Sequence, residues 1–394
     1  MVAQDQAVSA ARKDLFSRAL VAAPGRMHMA AHSHHLWPDA TLAAQVEAWE
    51  DAARLADHKW DKALGQVYPA AQGLVARELA LPSPDTVVFA PNTHSLLTTL
   101  VSAVPRRPAR ILSTDGEFHT FRRQAQRWAE AGEIELTLVE SDAPGFAERF
   151  LAAARLGTFD LVFVSHVFFK TGLVFDRVWE LADLARPEGS WVVVDGYHGF
   201  RAVPTDLSAV ADRIFYLAGG YKYAMAGEGA AFLHAPEGFG PRPVLTGWYA
   251  EFSDLEGPPG GVGYARDAAR FLGATFDPSG LYRFMAAGRM LEAEGLSTTA
   301  IAGHVAGLQR NLLTRIAAGA AGPLKQAVVL NPPGQGPRAR FLALRHPDAL
   351  AWKQALAARG VVVDVRDDVL RIGLSIYHDE DDLESFCAAC SALA

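Results

Sequence analysis

Between Val192 and Pro236 the chain reads VVVDGYHGFRAVPTDLSAVADRIFYLAGGYKYAMAGEGAAFLHAP. An apolar run ends in Asp195, His198 follows it closely, and after a second apolar run Tyr221 and Lys222 stand in a glycine-rich turn. A carboxylate at the end of one buried strand and a lysine after a later one suit a pyridoxal phosphate (PLP) site. The PLP aldehyde needs a lysine amine for a Schiff base, and its ring nitrogen needs an anionic partner to stay protonated, which makes the ring an electron sink. The competing reading makes Asp195 a helix cap and Lys222 a solvated loop residue; the order and context of the two favour the cofactor.

Other polar residues fall where an open α/β sheet binds ligands, beyond the carboxyl ends of its strands. Asn92-Thr93-His94-Ser95 follows the apolar run Val87–Ala90 and opens a helical pattern. Free amides and a hydroxyl at a helix start suit a phosphate, although the same residues can serve as an ordinary cap. Phe118 lies beyond another strand and can stack on a pyridine ring or pack in the core. Ser165 ends the run Leu161–Val164.

The elements that must position these groups alternate. Strands are predicted at Val87–Ala90, Arg110–Ser113, Ile134–Val139, Leu161–Ser165, Trp191–Val194, Arg213–Leu217 and Ala230–Leu233, with helical patterns such as Ser95–Val104 and Phe121–Ala131 between them. Continuous apolar strands separated by helices predict a mostly parallel sheet covered on both faces. Before it, residues 1–45 read as an arm with a short helix. Pro38 and Asp39 then introduce an amphipathic helix through Leu42, Val46, Trp49, Ala53 and Ala56. Residues 255–264 form a Gly/Pro-rich loop. After Pro278 two long helices are expected, Leu281–Glu294 and Thr298–Ala317. The tail alternates strands (Ala327–Leu330, Ala339–Leu344, Val361–Val365, Leu370–Leu374) with helices near 349–358 and 381–392. The expected division is an arm over 1–45 joining a small C-terminal α/β domain of 281–394, and a large cofactor-binding domain of 46–280.

With 394 residues, half of them hydrophobic, the chain can bury a large core. A formal charge of −7 and a pI near 6.0 argue against nucleic-acid and anionic-membrane partners. No apolar stretch is long enough to span a bilayer, and residues 1–25 do not read as a signal peptide, so a cytoplasmic location is expected. The two cysteines, Cys387 and Cys390, read as ordinary residues of the last helix. Ala31-His32-Ser33-His34-His35 invites a metal reading, but such a site needs further defined ligands, and no metal is expected.

In order, the segments DGYH, GGYKYAMAGEG, LTGWY at Leu245–Tyr249 and VVVDVRDDVLRIGLSIYHDEDD near the C-terminus resemble the kynureninase branch of the class V aminotransferase family, PLP enzymes of fold type I. The resemblance runs from about residue 28 to the end. It implies that Lys222 holds the cofactor covalently, that Asp195 binds the pyridinium nitrogen with His198 beside it, and that Phe118 stacks on the ring. It places His94, Ser95, Ser165, Tyr221 and Trp248 on the cofactor, mostly its phosphate, and makes Tyr221 catalytic with Lys222 and Asp195. Arg371 would clamp the substrate carboxylate, with an ion pair to Asp364 or Asp368 as its alternative role. The family is dimeric, so Thr275 and its neighbours would reach the cofactor phosphate of a partner chain.

Departures from the family surround the substrate. Ala31–His35 replaces a Gly-Asn-Ser-Leu-Gly segment, so Ser33 and His34 become candidate substrate contacts. His58 aligns roughly with a histidine that touches the substrate's aryl group. Phe118-His119-Thr120-Phe121 lacks the family's acidic residue, and Asp277 stands where the family has Asn near the phosphate. The implied activity is hydrolytic Cβ–Cγ cleavage of kynurenine or a related β-substituted amino acid by a homodimer. Transamination or a cysteine-independent C–S lyase reaction on the same scaffold is the alternative. A binding protein on a decayed PLP scaffold is disfavoured, because both Lys222 and Asp195 are present.

Overall fold

The computed structural model describes residue 8 and residues 10–254, 261–334 and 336–393; of the Gly/Pro-rich loop, 255–260 lie outside the described residues. Thirteen strands are described: β1 Met27–His28, β2 Val87–Ala90, β3 Ala109–Thr114, β4 Ile134–Val139, β5 Leu161–Ser165, β6 Trp191–Asp195, β7 Ile214–Gly219, β8 Ala231–His234, β9 Val328–Val329, β10 Phe341–Arg345, β11 Val361–Val362, β12 Asp364–Arg366 and β13 Val369–Gly373. Seven form one sheet in the order β2-β8-β7-β6-β5-β3-β4. Five neighbours in it, from β7 to β4, run parallel, and β8 is antiparallel to both β7 and β2. The central strands are apolar on both faces because helices cover both: every residue of β5 and β7 is buried. The fold is the expected α/β architecture of fold type I.

A second sheet, β12-β13-β10-β9, is antiparallel, and the arm strand β1 pairs in parallel with β11. Phe16, Met29, Ala31 and Leu36 of the arm are buried in one cluster with Trp352, Ile372, Phe386 and Cys390 from the far end of the chain. The predicted tail strand over 361–365 is divided at Val363 into β11 and β12, which join different sheets. Cys387 and Cys390 are buried free thiols in the last helix, Glu380–Ser391, and burial pushes both up in pKa.

One expected packing face is reversed. The helix Ala40–Leu55 turns Thr41, Ala44 and Asp51 inward, and Asp51 accepts a hydrogen bond from Tyr282 of the helix Ser279–Ala293 at 3.1 Å. Its apolar stripe of Leu42, Val46 and Trp49 points away from the chain, with Trp49 71% exposed.

Candidate active site

The parallel strands deliver their chemistry at one edge. Ser165 ends β5 and Asp195 ends β6, and the two are direct register partners. β7 ends at Gly219, and the chain turns through Gly220 to Tyr221 and Lys222. A side chain at position 219 would collide with the ring of Tyr197, so glycine is required for that close approach. These residues line a cavity of about 490 Å³ together with Asn92, Thr93, His94, Phe118, Thr120, Phe169, Tyr197, His198 and Glu228.

The Lys222 amine is buried among aromatic rings, 4.5 Å from the centroid of Tyr197 and 5.3 Å from those of Phe118 and Tyr221. Burial pulls its pKa down to about 7, against the attraction of Asp195, so at neutral pH much of the amine carries a free lone pair. Asp195 accepts the Tyr197 N–H at 2.9 Å through Oδ1. Burial pushes its carboxyl up, while that hydrogen bond and Lys222 pull the other way. Burial keeps His198 neutral, and its Nδ1 is enclosed without a partner among the described residues. Tyr221 is held protonated, its pKa pushed up to about 12 by burial and by Asp195 and Glu228.

The residues present fit PLP. The cavity offers a desolvated primary amine, a carboxylate with an uncommitted oxygen, an unpartnered imidazole nitrogen and aromatic walls. It is flanked by the start of the helix Thr93–Ser102, whose first amides lack intrahelical partners. Asn92 caps that helix by accepting the Ser95 N–H at 3.0 Å.

Of the residues singled out in the sequence, His94, Phe118, Ser165, Asp195, His198, Tyr221 and Lys222 line this one cavity. Ser95 does not line it; its hydroxyl donates to Asn92 Oδ1 at 3.2 Å. His34 stacks on Tyr221 with ring centroids 5.4 Å apart, and Ser33 touches His34. The other histidines of that segment diverge: His32 stacks on Phe341, and His35 hydrogen-bonds Ser375 at 2.5 Å.

Trp248, Thr275, His58 and Asp277 lie away from the cavity, and Ser33, His34, Ser95 and Arg371 are not among its lining residues either. Trp248 is 45% exposed and packs on Tyr249 and Phe252; Thr275 is exposed. His58 lies on the surface beside Asp61, its side chain 86% exposed, at the end of the short helical turn Ala56–His58. Asp277 binds the N–H and hydroxyl of Ser279, a local capping task. Arg371 is buried but is not an open fork. Its Nη2 pairs with Asp364, its Nη1 donates to the carbonyl of Phe169, and only Nε is unpartnered. Asp364 stands directly opposite Arg371 in the β12–β13 register and also binds Arg366 at 2.7 Å. The ion-pair role foreseen as the alternative is therefore formed in the interior rather than on the surface. Sequence reasoning missed Tyr197, Phe169, Glu228 and the buried Glu117. Tyr197 had a local signal, since it lies between the two singled-out residues of DGYH; the others become neighbours only through the sheet order.

Residues 37–320 match the family described as Aminotransferase class-V, and residues 307–389 match the Kynureninase C-terminal domain. No curated protein sequence matches the chain. Among solved structures, it is similar to a mutant of C-DES with glycine covalently linked to its PLP cofactor (17% identity, TM-score 0.80, covering 97% of this chain and 99% of that one). It is also similar to a cysteine desulfurase from Thermococcus onnurineus NA1 (20%, TM-score 0.77, 98% and 99%) and to the cysteine desulfurase CsdA from Escherichia coli (18%, TM-score 0.70, 95% and 96%). The chain therefore belongs to the class V aminotransferase family of PLP enzymes, in a branch that carries a kynureninase-type C-terminal region.

Proposed function

We propose that the protein is a PLP-dependent hydrolase that cleaves the Cβ–Cγ bond of kynurenine or a related β-substituted amino acid. The carrying observation is the desolvated Lys222 amine in an aromatic-walled cavity beside Asp195. The kynureninase-type match at the C-terminus supports the choice of substrate class. When bound, PLP supplies an electron-withdrawing ring that acidifies the substrate's α-carbon. Asp195 keeps a negative charge facing that ring, where a cationic nitrogen would lower its raised pKa. Lys222, neutral near pH 7, takes the α-proton, and Tyr221 offers an O–H donor. Phe118, Phe169 and Tyr197 form walls that suit an aryl side chain. Water attacks the γ-carbonyl, the Cβ–Cγ bond breaks, and alanine and an aromatic acid leave.

A C–S lyase reaction is the second reading, favoured by the whole-chain likeness to C-DES, described as a cystine C–S lyase, in its complex with cysteine persulfide. Such a reaction here would have to proceed without a protein thiol, because Cys387 and Cys390 are buried in the terminal helix. Product analysis with L-kynurenine, 3-hydroxykynurenine, cystine and cysteine conjugates decides. Alanine with an aromatic acid supports the proposal, pyruvate with a persulfide supports the lyase, and a 2-oxo acid retaining the side chain points to transamination.

Arg371 is assigned to the substrate carboxylate. Two guanidinium groups share one carboxylate, Asp364, which leaves the cluster a net positive charge for one incoming anion. Arg371→Lys keeps the charge but removes the unpartnered Nε donor along with the guanidinium contacts to Asp364 and Phe169. Losing one charged hydrogen bond of about 1.5–3 kcal/mol should lower kcat/KM roughly 10- to 150-fold, with cofactor absorbance retained. A change within twofold would move the clamp elsewhere, to Arg366 first.

The chain is further proposed to act as a homodimer. The outward stripe of Leu42, Val46 and Trp49, with exposed Trp248 and Phe252, supplies apolar area that a second copy would cover. Light scattering should give twice the 42.4 kDa chain mass at micromolar concentration, and Trp49→Glu should shift it toward the monomer. A fully active monomer would refute the dimer.

A further inference from the structure

Glu117 has no part in the steps above, yet it is fully buried directly behind the cavity wall. Its two oxygens have unlike surroundings. Oε1 faces the Thr114 hydroxyl at 2.8 Å and the Ser165 N–H at 3.2 Å. An amide can only donate, and Thr114 Oγ1 already accepts the Gly116 N–H, leaving its own hydrogen for Oε1. Oε1 is thus an acceptor twice over. Oε2 has a single partner, Ser165 Oγ, at 2.5 Å. The Oε2 contact suits either direction, Ser165 donating to a carboxylate or a carboxylic acid donating to Ser165, and the lack of a cationic partner among the described residues favours the acid. Ser165 lines the cavity and is the register neighbour of Asp195.

We propose that Glu117 is a positioning residue: held as a neutral acid, it donates through Oε2 to Ser165 and so commits the Ser165 hydroxyl to donate its own hydrogen to an anionic oxygen of the ligand bound beside Asp195. The inference rests on the reading of the cavity as a PLP site. A buried carboxylate needs a cation, and among the described residues no lysine, arginine or histidine pairs with Glu117. The groups that act on it are Thr114 at the end of β3, the hydroxyl and N–H of Ser165 at the end of β5, and the charge of Asp195 at the end of β6. Asp115 is spent on Ser141, whose N–H and hydroxyl lie at 2.8 and 2.9 Å. Desolvation above all pushes the Glu117 carboxyl up to about 8, against the hydrogen bonds that Ser165 and Thr114 would give its charged form, with the charge of Asp195 adding to the rise. Above that pH Glu117 loses its proton, Ser165 must donate to it, and the ligand loses its donor.

The test is the affinity of the apoprotein for PLP as a function of pH, read from the cofactor's absorbance. Wild type should weaken above about pH 8. Glu117→Ala should bind roughly tenfold more weakly at pH 7, the worth of one hydrogen bond. Glu117→Gln should restore most of that affinity, since its oxygen can accept from Thr114 and Ser165 while its N–H donates to Ser165, and the weakening above pH 8 should vanish because the amide does not ionise. Ser165→Ala should lose both the affinity and the alkaline limb. If Glu117→Gln binds no better than Glu117→Ala, or keeps the alkaline limb, the proposal is overturned. If neither Glu117 variant folds, an alkaline limb unchanged in Ser165→Ala overturns it. A wild type that takes up no PLP would instead overturn the PLP reading, leaving the pairing of Glu117 with Ser165 as a structural contact.

Discussion

Replacing Lys222 with alanine is expected to lower turnover by about 10⁴-fold, the upper range for loss of a general base, and to leave the protein without covalent cofactor. The amine is the only lysine group in the cavity wall, and its environment is built to keep it reactive: three aromatic rings exclude water, and burial brings its pKa to about 7. The shift has a definite sign for pH dependence. Protonated amine is unreactive, so the rate at which apoprotein captures PLP should rise with pH and level off above about 7, well below the range of a solvated lysine. Borohydride reduction of the holoprotein followed by peptide mass spectrometry should place the phosphopyridoxyl mass on the peptide containing Lys222. An adduct on a different lysine would overturn the assignment. Alanine removes only the lysine stem and amine from the cavity wall, so the variant should remain folded, separating chemical loss from structural loss.

Asp195→Asn is expected to retain PLP while losing turnover. The carboxylate accepts one backbone N–H and leaves its other oxygen uncommitted toward the cavity, where a cationic ring nitrogen would complete it. A neutral amide cannot hold that proton as well. Losing a charge-assisted hydrogen bond at the point where charge develops should cost about 3 kcal/mol, roughly 10²-fold in rate. Single-turnover kinetics with cofactor occupancy measured in parallel separates this from simple loss of PLP. Wild-type turnover in the variant would make Asp195 a structural carboxylate.

Much of the fold was legible because its signals are local. β2 and β5 begin and end where the apolar runs do, since a strand buried on both faces has no polar position to blur its limits, and the edge strand β4 also keeps its expected bounds although most of its residues are not buried. Asp195 and Lys222 were legible for the same reason: the first polar residue after a buried run marks a carboxyl end, and ligands of open α/β sheets bind there. The stripe Leu42, Val46 and Trp49 was also legible as apolar, but periodicity reports that a face is apolar and not what covers it. Here the small residues Thr41 and Ala44 take the inward side, where close packing on the helix Ser279–Ala293 requires them.

The sequence by itself determined most of the elements, the sheet class and the two groups proposed to meet the cofactor, because each depends on residues adjacent in the chain. Only the tertiary structure decided the rest. Arg371 meets Asp364 through the register of an antiparallel pair and the carbonyl of Phe169 in the turn that follows β5, and no spacing rule encodes either. His58 was placed by analogy with the family and lies on the surface, in the helical turn Ala56–His58 beside Asp61. Glu117 looks like a solvated loop acid in the sequence. It becomes a buried acid only because β3, β5 and β6 lie side by side, bringing Thr114, Ser165 and Asp195 around it and excluding the water that would otherwise keep it charged.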